Sequence, residues 1–335
     1  MNAQDLKNSI LQRAIEGKLV PQRAEEGTAR DLLAEIRAEK EKLIKEKKIK
    51  KTKPLPEISD DEKPFEIPES WEWVRFEDIF EIARGGSPRP IKQFLTQSHD
   101  GINWIKIGDT EIGDKYIVST KEKIIPKGLS KSRLVEVGDL LLTNSMSYGR
   151  PYILKTRGAI HDGWLVLSPY FEKINKEFFY YIISSPYVHN QFARTVSGAV
   201  VKNLNKDKVK KIFIPLPPLV EQYRIVARIE ELQPDIDAYD KAQTELRTIE
   251  QRFPDDMKKS LLQYAIEGKL VPQRKEEGTA RDLLAEIRAE KEKLIKEKKI
   301  KKTKPLPEIT DDEKPFDIPD SWEWVRLEEI GSVIG

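Results

Sequence analysis

Ile212-Phe213-Ile214-Pro215-Leu216-Pro217-Pro218-Leu219-Val220-Glu221-Gln222 is the stretch at which the chain changes character. The apolar run at 211–214 predicts a strand that ends at Pro215, since proline has no N–H to offer a ladder. Pro217-Pro218 then launches a helix. Beyond it Ile225, Ile229, Leu232, Ile236, Tyr239, Gln243, Leu246, Glu250, Phe253 and Met257 recur at alternating spacings of four and three, a heptad seam with two polar slots. Pro234 and Pro254 are expected to kink this helix or divide it. A seam of more than thirty residues runs about 45 Å at 1.5 Å per residue. That outreaches a small domain and asks for a partner helix, with packing on the chain's own globular part as the plainer alternative.

Working back from Ile212, residues 71–217 carry short β-type runs at 102–107, 116–119, 140–143, 152–154 and 163–167. Turn residues separate them: Gly85-Gly86-Ser87-Pro88, Gly108-Asp109, Gly138-Asp139 and Gly149-Arg150-Pro151. One aromatic-rich helix is predicted from Lys176 to about Thr195. The pattern is a mixed, mainly antiparallel sheet with helices.

Working outward in both directions, residues 6–78 and 257–329 align without a gap at an offset of 251, with 63 of 73 positions identical. Each copy predicts a helix ending at Gly17 (Gly268) and a connector with Pro21. A second helix follows, with Thr28 and Asp31 as capping box, running to about Lys50 and stopped by Pro54 and Pro56. Residues 54–70 are Pro-rich and extended, and Trp71 and Trp73 open a strand. The lysine run at 45–53 alternates with glutamates at i,i+4 spacing and reads as a solvated helix face.

The chain has 335 residues, 38% hydrophobic and 35% charged, with a net charge of +2. That charge is unevenly placed. Residues 84–211 hold 21 Lys and Arg against 11 Asp and Glu, a net of +10, so the remainder sums to −8. A basic middle is the footprint of a polyanion binder or of a solubilised surface. No cysteine is present, which excludes disulfides and thiolate zinc sites and fits a reducing cytoplasm. No apolar run approaches the roughly 18 residues of a membrane span, and residues 1–11 lack a signal-peptide pattern. A soluble cytoplasmic protein without membrane contact is expected.

Enzyme signatures are missing from the sequence. There is no GxxxxGK[ST] loop, no GxGxxG fingerprint and no FxGxG/NPPY-type pair of a base methylase. His99, His161 and His189 lack metal-ligand spacing. Asp60-Asp61-Glu62-Lys63 resembles a nuclease set, but it sits in a Pro-flanked linker and recurs at 311–314.

Taken in order, several segments resemble one family. Residues 212–222 resemble the IPLPPLxEQ signature that closes a target-recognition domain in the specificity subunits of Type I restriction-modification systems. Val137-Gly138-Asp139-Leu140-Leu141, Trp104-Ile105-Lys106-Ile107-Gly108-Asp109, Trp71-Glu72-Trp73-Val74 and the turn at Ser197-Gly198 through Asn203-Leu204-Asn205 are similar to its other elements. The resemblance implies an α+β fold: a mixed-sheet DNA target-recognition domain plus long antiparallel coiled-coil-type spacer helices. It divides the chain into an N-terminal repeat copy and linker (1–70), a recognition domain (71–217), spacer helices (218–304) and a linker with the start of a second recognition domain (305–335). Gly335 aligns with Arg84, so a half-length form is expected. The resemblance further implies a non-catalytic role, reading one half of a bipartite target on double-stranded DNA. Methyltransferase subunits and a restriction subunit would be partners, with S-adenosylmethionine, ATP and Mg carried by them, and no cofactor or metal on this chain. One recognition domain and an open seam suggest a homodimer. The rivals are a self-contained DNA-modifying enzyme and a protein-only helical scaffold.

Base readout needs donors and acceptors on loops, and phosphate contacts need cations and small polar groups. Three loops qualify. The first, 84–92, offers Arg84, Ser87, Arg89 and Lys92, with Gly85 and Gly86 able to bring backbone N–H groups to a phosphate. The second, 143–150, offers Thr143, Asn144, Ser145, Ser147, Tyr148 and Arg150. Asn144 suits adenine and Arg150 suits guanine. The third, 197–206, offers Lys202 and Asn203. Lys155 and Arg157 are further phosphate contacts.

Overall fold

The computed structural model describes residues 2–145, 147–196 and 203–331. It falls into two compact units, residues up to 241 and residues from 242 on.

The first unit opens with the N-terminal repeat copy. Helix α1 (Ala3–Ile15) starts at an Asn2/Asp5 capping box and ends before Gly17, whose positive φ of 70° carries the chain out of the helix. Helix α2 (Ala29–Lys45) starts at the Thr28/Asp31 box as expected. It stops five residues earlier than Lys50. Lys47 turns left-handed at φ 57°, and Ile49 folds back so that its N–H reaches Leu43 O and its side chain packs on the core. The lysines at 50, 51 and 53 therefore lie off the helix.

Strand β1 (Glu72–Arg75) and helix α3 (Phe76–Ile79) lead into β2 (Phe80–Arg84). There follow β3 (Leu95–Thr96), β4 (Ile102–Ile105), β5 (Tyr116–Ile117), β6 (Glu122–Ile124), β7 (Arg133–Val135), β8 (Leu140–Thr143), β9 (Pro151–Leu154), β10 (Gly158–Ile160) and β11 (Trp164–Pro169). The strands form two five-stranded sheets, ordered β3-β6-β4-β10-β7 and β2-β11-β8-β9-β5. Pairing is antiparallel except for β4 with β10 and β5 with β9. Strands β2, β3, β6, β7 and β10 escape a sequence reading because most have only two or three residues, too few to show alternation.

The aromatic helix is two helices, α4 (Lys176–Ile183) and α5 (Pro186–Val196). Ser185 Oγ donates to Ile182 O at 2.6 Å and accepts from Val188 N–H at 3.3 Å, and Pro186 takes the first helical position, where its missing N–H costs nothing. After α6 (Lys206–Lys210) comes β12 (Phe213–Leu216), which runs through Pro215. Among the described residues its one strand partner is β1, with Pro215 opposite Trp73, so the absent N–H leaves no described ladder incomplete. This two-strand clasp holds the two ends of the middle domain together. Trp73 fills it with Phe65, Tyr187 and Phe213 at ring separations of 5.1, 6.1 and 5.6 Å.

Helix α7 (Leu219–Ile266) is continuous for 48 residues, with Pro234 and Pro254 inside it. Its seam has two fates. Ile225, Ile229 and Ile236 are buried in the first unit, with Ile225 and Ile229 in the main core. Leu246, Phe253 and Met257, in the second unit, are at least half exposed. Packing on the chain's own domain accounts for Ile225, Ile229 and Ile236, while Leu246, Phe253 and Met257 stay exposed to solvent. The second repeat copy continues with α8 (Ala280–Lys296), capped by Thr279 and Asp282, and α9 (Leu327–Ile330). No described helix is long and apolar enough to cross a membrane.

Between α1, α2 and the start of α7, Trp71 Nε1 donates to Glu221 Oε2 at 2.8 Å and Gln22 Nε2 to Glu221 Oε1 at 2.5 Å. Arg224 pairs with Glu26 at 2.5 Å. Burial pushes the Glu221 carboxyl above its usual range, against the lowering pull of these donors. Lys115 ties the sheet to the same helix, reaching Glu230 at 2.7 Å and Glu177 at 3.1 Å.

Candidate nucleic-acid interface

The turn His161-Asp162-Gly163 between β10 and β11 draws the first two candidate loops together, and the third joins them through Asn144. From the first loop, Ser87 Oγ donates to Asp162 Oδ1 at 2.7 Å, Arg84 Nε donates to Asp162 O at 2.8 Å, and Arg89 stands 3.5 Å from the carboxylate. From the second, Asn144 Nδ2 donates to Asp162 O at 2.9 Å, and Asn144 N–H to Gly163 O at 2.9 Å. From the third, Leu204 N–H donates to Asn144 O at 2.8 Å. Arg133 joins them by donating to Arg84 O at 3.2 Å. The Ser87 hydroxyl holds the Asp162 carboxyl below the usual carboxylate range.

This placement revises several expected roles. Asn144 and Thr143 are fully buried. The Asn144 amide points into the fold and bonds the Asp162 carbonyl, so in this arrangement it positions the loop and offers no edge to a base. Thr143 closes the loop on itself: its Oγ1 donates to Ser147 O at 2.6 Å and accepts from Arg150 N–H at 3.0 Å. Gly85 and Gly86 do not present N–H groups to a phosphate. Gly85 N–H bonds Trp164 O and Gly86 N–H bonds Ile160 O, and a Cβ on either glycine would strike backbone carbonyls. Lys155 and Arg157 lie beyond β9 and outside this cluster. Lys155 Nζ sits 4.3 Å above the Tyr116 ring, and Arg157 pairs with Glu136 at 2.9 Å.

What remains open to solvent is a set of cations and hydroxyls. Arg84, Arg89, Lys92 and Arg133 are exposed, and Ser87, Ser145, Ser147 and Arg150 are half-buried. Tyr148 is half-buried and stacks on His189 with the planes 5° apart. Asn203 is half-buried and uses its carbonyl on Lys208 Nζ at 3.3 Å. Lys202 lies outside the described residues.

Sequence reasoning missed Asp162, His161 and Arg133. An acid in a basic domain signals little by itself, and the backbone contacts that make Asp162 a hub leave no pattern in sequence. The available cue was Gly163, whose Cβ position is occupied by the His161 ring.

His161 carries a testable pH dependence. Its Nε2 faces Ile107 N–H at 3.2 Å and its Nδ1 faces Gly163 N–H at 2.6 Å. A protonated ring meets two donors there, and burial already holds its pKa below the ordinary imidazole value. The unfolded chain therefore takes the proton first. Stability is present above about pH 6.5 and falls as the pH drops toward the lower folded value. Melting curves of the chain and of His161→Gln between pH 7 and 5 are expected to differ in slope over that window. Parallel slopes would refute it.

The comparisons with known proteins bear on this geometry. Residues 68–247 match the model of the Type I restriction modification DNA specificity domain, more than half of the chain. The chain belongs to that family. It is 33% identical over 371 residues to the Type I restriction enzyme EcoAI specificity subunit of Escherichia coli, covering 97% of this chain and 62% of that protein. It is 32% identical over 372 residues to the EcoEI specificity subunit, covering 97% and 61%. The chain thus spans about three-fifths of the length of these relatives. Among solved structures, the HsdS subunit from Thermoanaerobacter tengcongensis is 23% identical, covering 72% of this chain and 54% of that one, with a TM-score of 0.44. Within the specificity family, the matched segment contains the clasp, both sheets and the Asp162 cluster.

Proposed function

We propose that this chain is a non-catalytic, sequence-reading part of a Type I restriction-modification assembly, and that the face around Asp162 reads one half of a bipartite target on double-stranded DNA. The observation that carries this is the convergence of the first two loops on Asp162, with Arg84, Arg89 and Arg133 about it and the third loop joined to Asn144, in a domain of this family. Arg150, Ser145 and Ser147 on the second loop are the base-reading groups. Arg89, Lys92 and Arg133 are phosphate contacts. Methyltransferase and restriction subunits are the partners, supplying S-adenosylmethionine, ATP and Mg chemistry. The place of action is the cytoplasm.

Modification of a randomised-target library by the complex reconstituted with methyltransferase subunits tests the assignment. Arg150→Ala is expected to relax one base position, a discrimination worth about 1–3 kcal/mol. Arg89→Ala is expected to leave the motif unchanged, weaken binding to all sequences and lower the salt slope by about one. An unchanged motif with Arg150, Ser145 and Ser147 all replaced by alanine would move the reading surface elsewhere.

The open half of the seam supports a homodimer in which two copies of α7 run antiparallel. A two-fold pair of this kind would read an interrupted palindrome. Light scattering is expected to give twice the chain mass, falling to one chain mass with Leu246→Glu and Phe253→Glu together. A single chain mass for the unaltered protein would end this reading.

A further inference from the structure

The lysine run at 45–53 takes no part in the Asp162 cluster, and most of it is not a helix face. It holds six lysines against one glutamate. Helix α2 ends within it in a Schellman turn: Lys47 N–H reaches Ile44 O at 3.0 Å and Lys48 N–H reaches Leu43 O at 2.9 Å. Lys47 takes the left-handed position at φ 57°, where glycine is the usual residue. The second repeat copy makes the same turn, with Lys298 at φ 57°. In both copies a charged side chain stands where the backbone favours none, and strain of this kind points to a use for the side chain.

Two anchors hold the segment that follows. Ile49 packs on the main core, and Thr52 Oγ1 donates to Glu77 Oε1 at 2.9 Å. Around these anchors Lys45, Lys47, Lys48, Lys50, Lys51 and Lys53 are exposed. Among the described residues only Lys48 of the six has an acid partner, Glu46 at 2.8 Å. Two acids of the following linker are engaged elsewhere, Asp60 with Lys63 at 2.5 Å and Glu62 with Arg75 at 3.5 Å.

Glu77 leads from these lysines toward the reading face. Its Oε2 lies 4.0 Å from Lys210 Nζ on α6. Lys206 at the start of α6 and Lys211 just past its end are exposed. The cap of α6 is Asn205, which accepts from Lys208 N–H at 2.9 Å, and the preceding Leu204 N–H bonds Asn144 O in the second loop. A run of contacts thus joins the lysine turn, α6, the third loop and the second loop.

We propose that the lysine turn at 45–53 and α6 form a second anion site, which holds phosphates of the DNA duplex outside the bases being read. This rests on the DNA-reading role proposed above and adds to it a contact without base preference. A duplex presents phosphates in closely spaced rows, and a row of unpaired lysines on flexible stems answers them as point charges.

Binding of a target duplex by the full chain, assembled with methyltransferase subunits, is measured against salt. Lys47→Gly, Lys50→Ala and Lys51→Ala together are expected to lower the slope of log K on log salt by about two to three. The target motif in the library assay stays unchanged. Lys298→Gly, Lys301→Ala and Lys302→Ala remove the same charge from the second copy, in which the repeat brings no counterpart of α6. That set is expected to leave the slope as it was. Lys47→Gly alone is expected to keep or raise the melting temperature, since glycine is at ease at φ 57°, while losing about one unit of slope. A lysine with a purely structural role would do the reverse. The proposal is overturned by an unchanged slope with the first set, by equal losses with both sets, or by light scattering in which the first set sheds methyltransferase subunits, which would make the turn a protein contact. A lowered slope with the first set, alongside an unchanged motif when Arg150, Ser145 and Ser147 are all alanine, would remove the base-reading assignment and leave this site standing.

Discussion

Trp71→Ala is expected to destabilise the first unit by about 3–5 kcal/mol, the usual cost of emptying a large aromatic site. Trp322→Ala, in an almost identical local sequence, is expected to cost less than about 1 kcal/mol. Trp71 is 3% exposed and Trp322 is 38% exposed, and burial decides the difference. Trp71 also gives its indole N–H to the buried carboxylate of Glu221. Its loss leaves a buried acceptor under-bonded, which adds about 1–3 kcal/mol. Trp71→Phe separates the parts by keeping most of the volume and removing the donor. Denaturant unfolding of the full chain in dilute solution measures all three. Equal effects at positions 71 and 322 would contradict the two environments described above.

Gly85→Ala is expected to be as damaging, by overpacking. A Cβ at Gly85 lands on the carbonyl oxygens of His161 and Ile160, which are backbone atoms with no freedom to step aside. The end of β2 must then part from the turn before β11, taking Ser87 away from Asp162. A loss of about 3 kcal/mol or more is expected, with a blurred target motif in the library assay because the first loop loses its anchor. Gly108→Ala is the matched control. Its Cβ position has nothing within 4 Å, so stability should stay within about 0.5 kcal/mol of the unaltered chain. A tolerated Gly85→Ala would mean that β2 and the His161 turn are not packed as described.

Much of the architecture could be read from sequence because it rests on local chemistry. The Thr28 and Thr279 boxes, the stop at Gly17, the strand at 140–143 and the helix launched by Pro217-Pro218 depend on residues within a turn or two of each other. The two prolines within α7 were expected to kink or divide it, yet the helix is continuous through both. The site was only partly legible. Residue type named the right loops, since polar turn-forming stretches sit at strand ends. It did not reveal which of their side chains face inward. Asn144 and Arg150 look equally suited to a base in sequence, and only long-range contacts to Asp162 and Leu204 turn the first of them into the interior. The fate of the heptad seam was hidden for the same reason. One uninterrupted pattern serves the chain's own core at one end and stays open at the other.

The strand pair formed by β1 and β12 has a consequence for inheritance. Because Glu72 lies opposite Leu216 and Arg75 opposite Phe213, the chain leaves the middle domain beside the point where it came in. A sequence exchanged between the two strands keeps its exit beside its entry if it ends in the same ladder, and it keeps α1, α2 and the start of α7 in place if it also refills the core they share with it. The clasp works as the socket of an interchangeable cassette. On the proposed DNA-reading role, a new preference for bases would arrive in one genetic event.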